Sequence, residues 1–315
     1  MDSGKRDILR CLRHAKAPLT LTEIAMRTNF YITEVSTIVG QFLEIGLVEL
    51  ANGYLTINPA KCSRPHSIDM GLVKRNVKAA LQRRPKAVPE FDQCLATEDT
   101  ILRRVDFIQE RSDLFDNNIL VLGDDDFLSI GLASTGLPRS ITVLDVDPRV
   151  LESIGCVASE NNLSIILENY DVRKELPWEH KGVFDVVFTD PPYTCGGAKL
   201  FLWRAVQAVE LQVGRRLYIC LSEMDLTPES YSSIQSFALR IGLAIVEIVP
   251  SFNKYECRID MTDHCEIVGA DPCTPWFTSA LWRLETTPNT SKELTPLDRE
   301  SILLADIYKY DDEID

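Results

Sequence analysis

Residues 117–126 read NNILVLGDDD, from Asn117 to Asp126. Ile119 to Leu122 form a short apolar run, the pattern of a strand buried on both faces of a parallel sheet. The run stops at Gly123 and three consecutive carboxylates, Asp124, Asp125 and Asp126. An apolar, helix-compatible stretch, Phe127 to Leu132, follows. In open α/β sheets, ligands sit beyond the carboxyl ends of the strands, so the three acids are expected at a ligand-facing rim. Taken alone, an Asp-Asp-Asp turn reads more simply as a solvated cap for the next helix. The rest of the chain reverses that preference.

Downstream, apolar runs alternate with helical periodicity. Helix Thr100 to Ser112 leads into the first strand, and strands are expected at Ile141–Asp145, Ser164–Leu167, Phe184–Thr189 and Arg216–Leu221. Helices are expected at Pro148–Asn161, Lys199–Val209 and Ser230–Ile241, and two late strands at Ala244–Pro250 and Thr278–Glu285. Repeated β-then-α units imply a parallel sheet with crossover helices. Four strand ends carry polar residues in an informative order. The first ends in Gly123 and the acids. The second ends in Asp145 and Asp147, the usual position for an acid that accepts from ribose hydroxyls. The third is followed by Asp171, where a carboxylate can accept from an adenine amino group. The fourth ends in Asp190-Pro191-Pro192-Tyr193, DPPY. Two prolines lack backbone N–H groups and fix their φ angles, so this loop is stiff. It holds Asp190 and Tyr193 over the pocket, a carboxylate for an amine and an aromatic face for a cation or a base.

Before this region lie three helical stretches, Lys5–Ala15, Leu21–Asn29 and Ile32–Ile45, with Thr20 and Thr33 as expected caps of the second and third. Two short apolar strands around Asn52-Gly53 then form a hairpin. This is a winged helix-turn-helix pattern. Its recognition helix carries Glu34 and Glu44 and no Lys or Arg, a poor groove reader without phosphate-neutralising side chains, so dimerisation or substrate covering is favoured over DNA binding. The expected organisation is residues 1–60 winged helix, 61–96 a basic linker with one helix and a solvated basic face, 97–285 a Rossmann-like catalytic domain, and 286–315 a mobile acidic tail.

Charge divides along the chain. Residues 1–90 hold 14 Lys and Arg against 8 Asp and Glu, a net of +6. The remainder holds 19 against 39, a net of −20. Such a catalytic region repels a polyanion and concentrates cations, which disfavours nucleic acid as partner. No apolar run reaches the ~20 residues a membrane span requires, and the start has no signal-peptide pattern. A cytoplasmic protein with nine reduced cysteines is expected. His264, Cys265 and Cys273 lack a fourth ligand at zinc spacing, and no metal is expected. Gly196 and Gly197 are read as freeing the loop after DPPYT; His14, His66 and His180 are expected at the surface, and Trp203 and Trp282 in the core.

The ordered strand ends over roughly 97–285 resemble the Rossmann-like domain of S-adenosylmethionine-dependent methyltransferases and aminopropyltransferases. The chain departs from methyltransferases where the first turn would approach a methionine carboxylate, because Asp124, Asp125 and Asp126 repel one. Decarboxylated S-adenosylmethionine lacks that carboxylate and carries a sulfonium and an ammonium. Gly123-Asp124-Asp125-Asp126, DPPYT and the N-terminal winged helix together resemble the branched-chain polyamine synthases, the N4-bis(aminopropyl)spermidine synthases. The resemblance implies transfer of aminopropyl groups from decarboxylated S-adenosylmethionine to N4 of spermidine, releasing 5′-methylthioadenosine. Asp126, Asp190, Asp125 and Asp124 are the expected catalytic acids, with Asp126 or Asp190 preferred as proton acceptor. Gly123, Asp124, Asp145, Asp147, Asp171 and Pro191 are expected to hold the donor, and Asp125, Asp126, Asp190 and Tyr193 the polyamine. A homodimer is expected. The competing readings are a DPPY-type amino-methyltransferase acting on nucleic acid, and a polyamine-binding regulator without turnover.

Overall fold

The computed structural model describes residues 3–15, 17–61, 68–256, 276–295, 298–299, 302 and 307. The chain divides into two compact units, Met1–Ile68 with Ile108–Phe115, and Asp69–Phe107 with Asp116–Asp315.

The first unit contains α1 (Ser3–His14), α2 (Leu21–Thr28), α3 (Ile32–Glu44) and a hairpin of β1 (Val48–Ala51) and β2 (Tyr54–Ile57). Thr20 closes a reciprocal capping box with Glu23 at the start of α2, satisfying two otherwise orphaned backbone donors. Thr33 does not cap α3: Tyr31 occupies that position without a side-chain bond. The helix begins one residue before Thr33, which therefore sits inside the first turn. The hairpin turns at Asn52 (φ 53°) and Gly53 (φ 82°), the positive angles a two-residue turn demands. Ile8, Leu12, Ile24, Val35, Leu55 and Ile57 form its core.

The second unit begins with α4 (Met70–Leu81), and α5 (Glu98–Glu110) starts within it. It continues through β3 (Asn118–Leu122), α6 (Leu128–Ser134), β4 (Ser140–Asp145), α7 (Pro148–Glu160), β5 (Ile166–Asn169), β6 (Val186–Thr189), α8 (Cys195–Ala208), β7 (Arg216–Leu221), α9 (Pro228–Arg240), β8 (Leu243–Lys254) and β9 (Thr278–Thr286). The strands form a seven-stranded sheet in the order β5-β4-β3-β6-β7-β9-β8. β3 pairs in parallel with both β4 and β6, and β9 runs antiparallel between β7 and β8. The chain thus winds from β3 outward to β5, then returns to the other side of β3. A crevice opens at such a reversal, here between the carboxyl ends of β4, β3 and β6. The central strands β6 and β7 are buried throughout, as their continuous apolar runs require.

Several expectations are corrected. The third strand lies two residues later than expected, at Ile166–Asn169. α8 begins at Cys195 rather than Lys199, so Gly196 and Gly197 are its first turn and not a freed loop. A Cβ on Gly197 would stand 2.8 Å from Thr194 Oγ1 and 3.0 Å from the carbonyls of Pro192 and Ile307, so close packing requires the glycine. His180 is buried, bonds the Glu168 carboxylate at 2.6 Å and stacks on Phe184. Among the described residues after Thr286, Ile302 and Ile307 join the main core, and Arg240 donates to Asp298 at 2.6 Å. Two isolated isoleucines supply that anchorage, which an average over a polar segment hides. Trp203 and Trp282 are buried as expected. His66, His264, Cys265, Cys273 and the last eight residues lie outside the described residues.

Candidate active site

The crevice at the carboxyl ends of the strands holds a solvent-open cavity. Leu122, Gly123 and Asp125 line it from the end of β3, Leu144, Asp145 and Val146 from β4, and Tyr170 and Val172 from beyond β5. Asp190 to Tyr193 enclose it from beyond β6, with Phe201 from α8. One wall is therefore apolar and aromatic, the other acidic.

The three consecutive acids point in three directions because the turn is irregular. Gly123 has φ 76° and Phe127 φ 63°, left-handed angles that cost a non-glycine residue of the order of 1 kcal/mol. Asp124 turns inward, is 1% exposed, and accepts from the Ser129 backbone N–H at 3.2 Å. Burial pushes its carboxyl well above the usual range. Asp126 turns toward α5: it accepts from the Ala96 N–H at 2.5 Å and from Arg104 Nη1 at 2.6 Å. Asp125 faces the cavity and has no hydrogen-bond or ion-pair partner among the described residues. Burial raises its carboxyl well above the ordinary value, and neighbouring Asp126, Asp145 and Asp190 raise it further.

Asp190 is held on both oxygens. Tyr193 donates to Oδ1 at 2.8 Å; Tyr255 and Arg104 Nη2 donate to Oδ2 at 2.8 and 2.6 Å. Burial raises the Asp190 carboxyl while the Arg104 guanidinium pulls it down. Asp145 accepts from the backbone N–H groups of Asp124 (2.7 Å) and Asp147 (2.8 Å), and burial moves its carboxyl up to about 6. Asp147 caps α7 and is tied to Arg149 and Gln93. Asp171 is forked by Arg173. Of the expected site residues, the cavity lining brings together Gly123, Asp125, Asp145, Asp190, Pro191 and Tyr193. Asp124, Asp126, Asp147 and Asp171 lie behind or beside it.

The sequence reading missed two contributions. Phe91, Asp92, Gln93 and Cys94, from the segment read as a basic linker, form part of the lining. Arg84 in the same segment does not belong to a solvated face. Its side chain is 4% exposed, bonded to the Ala96 carbonyl and Glu256, and 3.9 Å from Asp126. An aromatic-acid pair, Phe91-Asp92, directly after a basic run was the available signal. Arg104, fully buried on α5, had none, since it sits in an ordinary amphipathic helix. Among the described residues, Arg84 and Arg104 are the cations within 4 Å of this acid group, which holds Asp124, Asp125, Asp126, Asp145 and Asp190, so carboxyls outnumber guanidiniums in the site. Such a cavity attracts cations and repels a carboxylate by about 4 kcal/mol per like charge at ~4 Å.

The family model described as "Branched-chain polyamine synthase A C-terminal domain" matches residues 72–312. N(4)-bis(aminopropyl)spermidine synthase of Thermus thermophilus is 29% identical over 303 residues, covering 90% of this chain and 87% of that one. The protein of the same name from Methanocaldococcus jannaschii is 31% identical over 218 residues, 66% of this chain and 61% of its own. An uncharacterized protein of that organism is 36% identical, but the match spans only 46% of its length. Among solved structures, the Thermus thermophilus branched-chain polyamine synthase in complex with N4-aminopropylspermidine and 5′-methylthioadenosine superposes with a TM-score of 0.62 at 28% identity. That match covers 92% of this chain and 91% of the other. A Pyrococcus horikoshii protein described as an RNA methyltransferase, at TM-score 0.52 and 15% identity over 69% of this chain and 100% of its own, shares the fold.

Proposed function

The chain belongs to the branched-chain polyamine synthase family, and we propose that it transfers aminopropyl groups from decarboxylated S-adenosylmethionine to the internal N4 amine of spermidine. The observation that carries this reading is Asp125, a carboxylate that faces the cavity and bonds to none of the described residues, while neighbouring Asp126 and Asp190 are already engaged.

Spermidine nitrogens are mostly protonated near pH 7, and only a neutral amine is a nucleophile. A carboxyl with a raised pKa is suited to accept that proton, which assigns Asp125 as general base in place of Asp126 or Asp190. Asp190, fixed on both oxygens, orients the amine and balances its charge. N4 attacks the propyl carbon beside the sulfonium. The carbon–sulfur bond breaks, and its electron pair stays on sulfur as neutral 5′-methylthioadenosine. The attack leaves N4 as a tertiary ammonium; once the carboxylate takes its proton, the freed lone pair can attack a second donor, which gives a quaternary ammonium with no N–H. Tyr170, Val172 and Phe201 supply an apolar seat for the adenine, and Asp145 an acceptor at the ribose. The acids beyond β3 favour a donor without a carboxylate. Proximity within the crevice supplies much of the rate.

The N-terminal unit is read as a winged-helix module that serves a homodimer. Its α3 has no basic residue for phosphate, and Met26, Tyr31, Ile45, Leu50 and Tyr54 are exposed apolar surface. Among the described residues no helix is long and apolar enough to cross a membrane.

The test is product identity by mass after incubation with spermidine and either decarboxylated or intact S-adenosylmethionine. Spermidine carrying one or two added aminopropyl groups, formed only with the decarboxylated donor, is the expected result. Methylated product from the intact donor, or on RNA or DNA, would replace this reading with an amino-methyltransferase. Tight polyamine binding without turnover would replace it with a regulator.

A further inference from the structure

Arg104 is a fully buried cation on α5. Its side chain is 0% exposed. Nε donates to Asn253 Oδ1 at 2.8 Å, Nη1 to Asp126 at 2.6 Å, and Nη2 to Asp190 at 2.6 Å, with the Tyr255 hydroxyl at 3.3 Å. The guanidinium lies over the Phe188 ring at 5.1 Å. Asn253 and Tyr255 both reach Ser279 on β9, so every donor that grips the acids is itself held. Asp126 follows β3 and Asp190 follows β6, so one side chain from a helix outside both motifs joins the two acidic strand ends.

We propose that Arg104 is a positioning residue for the transfer: by engaging Asp126 and Asp190 together in a planar fork, it fixes their orientation and leaves Asp125, bonded to none of the described residues, as the carboxylate for the amine. This rests on the aminopropyl-transfer reading. Burying a guanidinium is unfavourable unless its partners are well placed, and the fork geometry is one a lysine cannot copy. The groups facing Asp190 are Arg104 from α5, Asp126 and Asp125 from the turn after β3, Tyr193 from its own loop, Tyr255 from beyond β8 and Cys220 on β7. Arg104 is the cation bonded to Asp190 among them; burial raises the Asp190 carboxyl and the guanidinium offsets part of that rise.

The experiment compares wild type, R104Q, R104K and Y255F in the full chain, reading kcat, KM and the acidic limb of the pH profile per folded molecule. R104Q is expected to lower kcat at least about 100-fold and to move the acidic limb about one pH unit upward, because Asp190 loses its counter-ion. R104K keeps the charge and loses the fork, so the limb stays within a few tenths of a unit while kcat falls about tenfold. Y255F removes one donor from Asp190 Oδ2 and moves the limb upward by less than R104Q. A residue serving only the fold would lower stability and leave the limb unmoved in every variant; that result, with kcat within twofold of wild type, would overturn the proposal. Should R104Q not fold, an unmoved limb in Y255F with undiminished kcat in R104K overturns it equally. The same pH series is read by calorimetric binding of spermidine, which needs no turnover. Absent wild-type product then counts against the transfer reading alone, and an unchanged pH dependence of binding in the variants counts against Arg104.

Discussion

At the scale of single residues, the three adjacent aspartates are chemically identical in the sequence and distinct in the fold. The left-handed angles at Gly123 and Phe127 send one inward, one to Arg104 and one into the cavity. A pattern of residue types contains no such angles, which is why the string Asp124-Asp125-Asp126 located the site and could not rank its members. Arg104 and Arg84 were illegible for a related reason: burial is decided by what packs on a helix, and both lie in stretches whose composition fits a solvated face. The cavity-facing Asp125 has a measurable cost. Its folded-state pKa is raised by burial and by neighbouring acids, so ionising it weakens the folded state as pH rises through that value, while below the ordinary carboxylate pKa the effect vanishes. D125N is therefore expected to raise Tm by about 1–2 °C at pH 8, the response to roughly 1 kcal/mol in a chain of this size, and to leave it unchanged at pH 3.5. Its turnover is expected to fall at least about 100-fold, the usual worth of a general base, with donor binding retained. Thermal scans at the two pH values and single-turnover rates check both halves; an acid-independent change in Tm would contradict the first.

At the scale of elements, the strands that build the crevice were the most legible part of the chain. β3, β4, β6 and β7 are mostly apolar runs, and the first three run into acids, a signal set by the requirement that both faces be covered. β5, at the sheet edge and largely exposed, gave a shifted reading because an edge strand need not be apolar. The segment after β9 was misread for the opposite reason: two isoleucines decide its docking. Ile302 is 1% exposed within the main core, so I302A is expected to destabilise the protein by about 2–4 kcal/mol, the usual range for deleting a buried branched side chain. A urea titration measures this. A change under about 0.5 kcal/mol would return the segment to a mobile tail.

At the scale of the whole molecule, charge separation is visible in the sequence and keeps its meaning in the structure. The region after residue 90 carries −20, and its cavity gathers more carboxylates than guanidiniums. A field of this sign concentrates a polycation and is screened by salt, with a Debye length that shrinks from about 10 Å at 0.1 M to about 3 Å at 1 M. The KM for spermidine is expected to rise about tenfold between 0.05 and 0.5 M NaCl with kcat nearly constant. A salt-independent KM would place the recognition in short contacts alone. The most direct test of the central claim is a crystal structure of the protein with 5′-methylthioadenosine and spermidine bound. The expected result is N4 within hydrogen-bond distance of the Asp125 carboxylate, with Asp126 and Asp190 still on Arg104. Spermidine lying elsewhere, with Asp125 turned to bulk solvent, would contradict it.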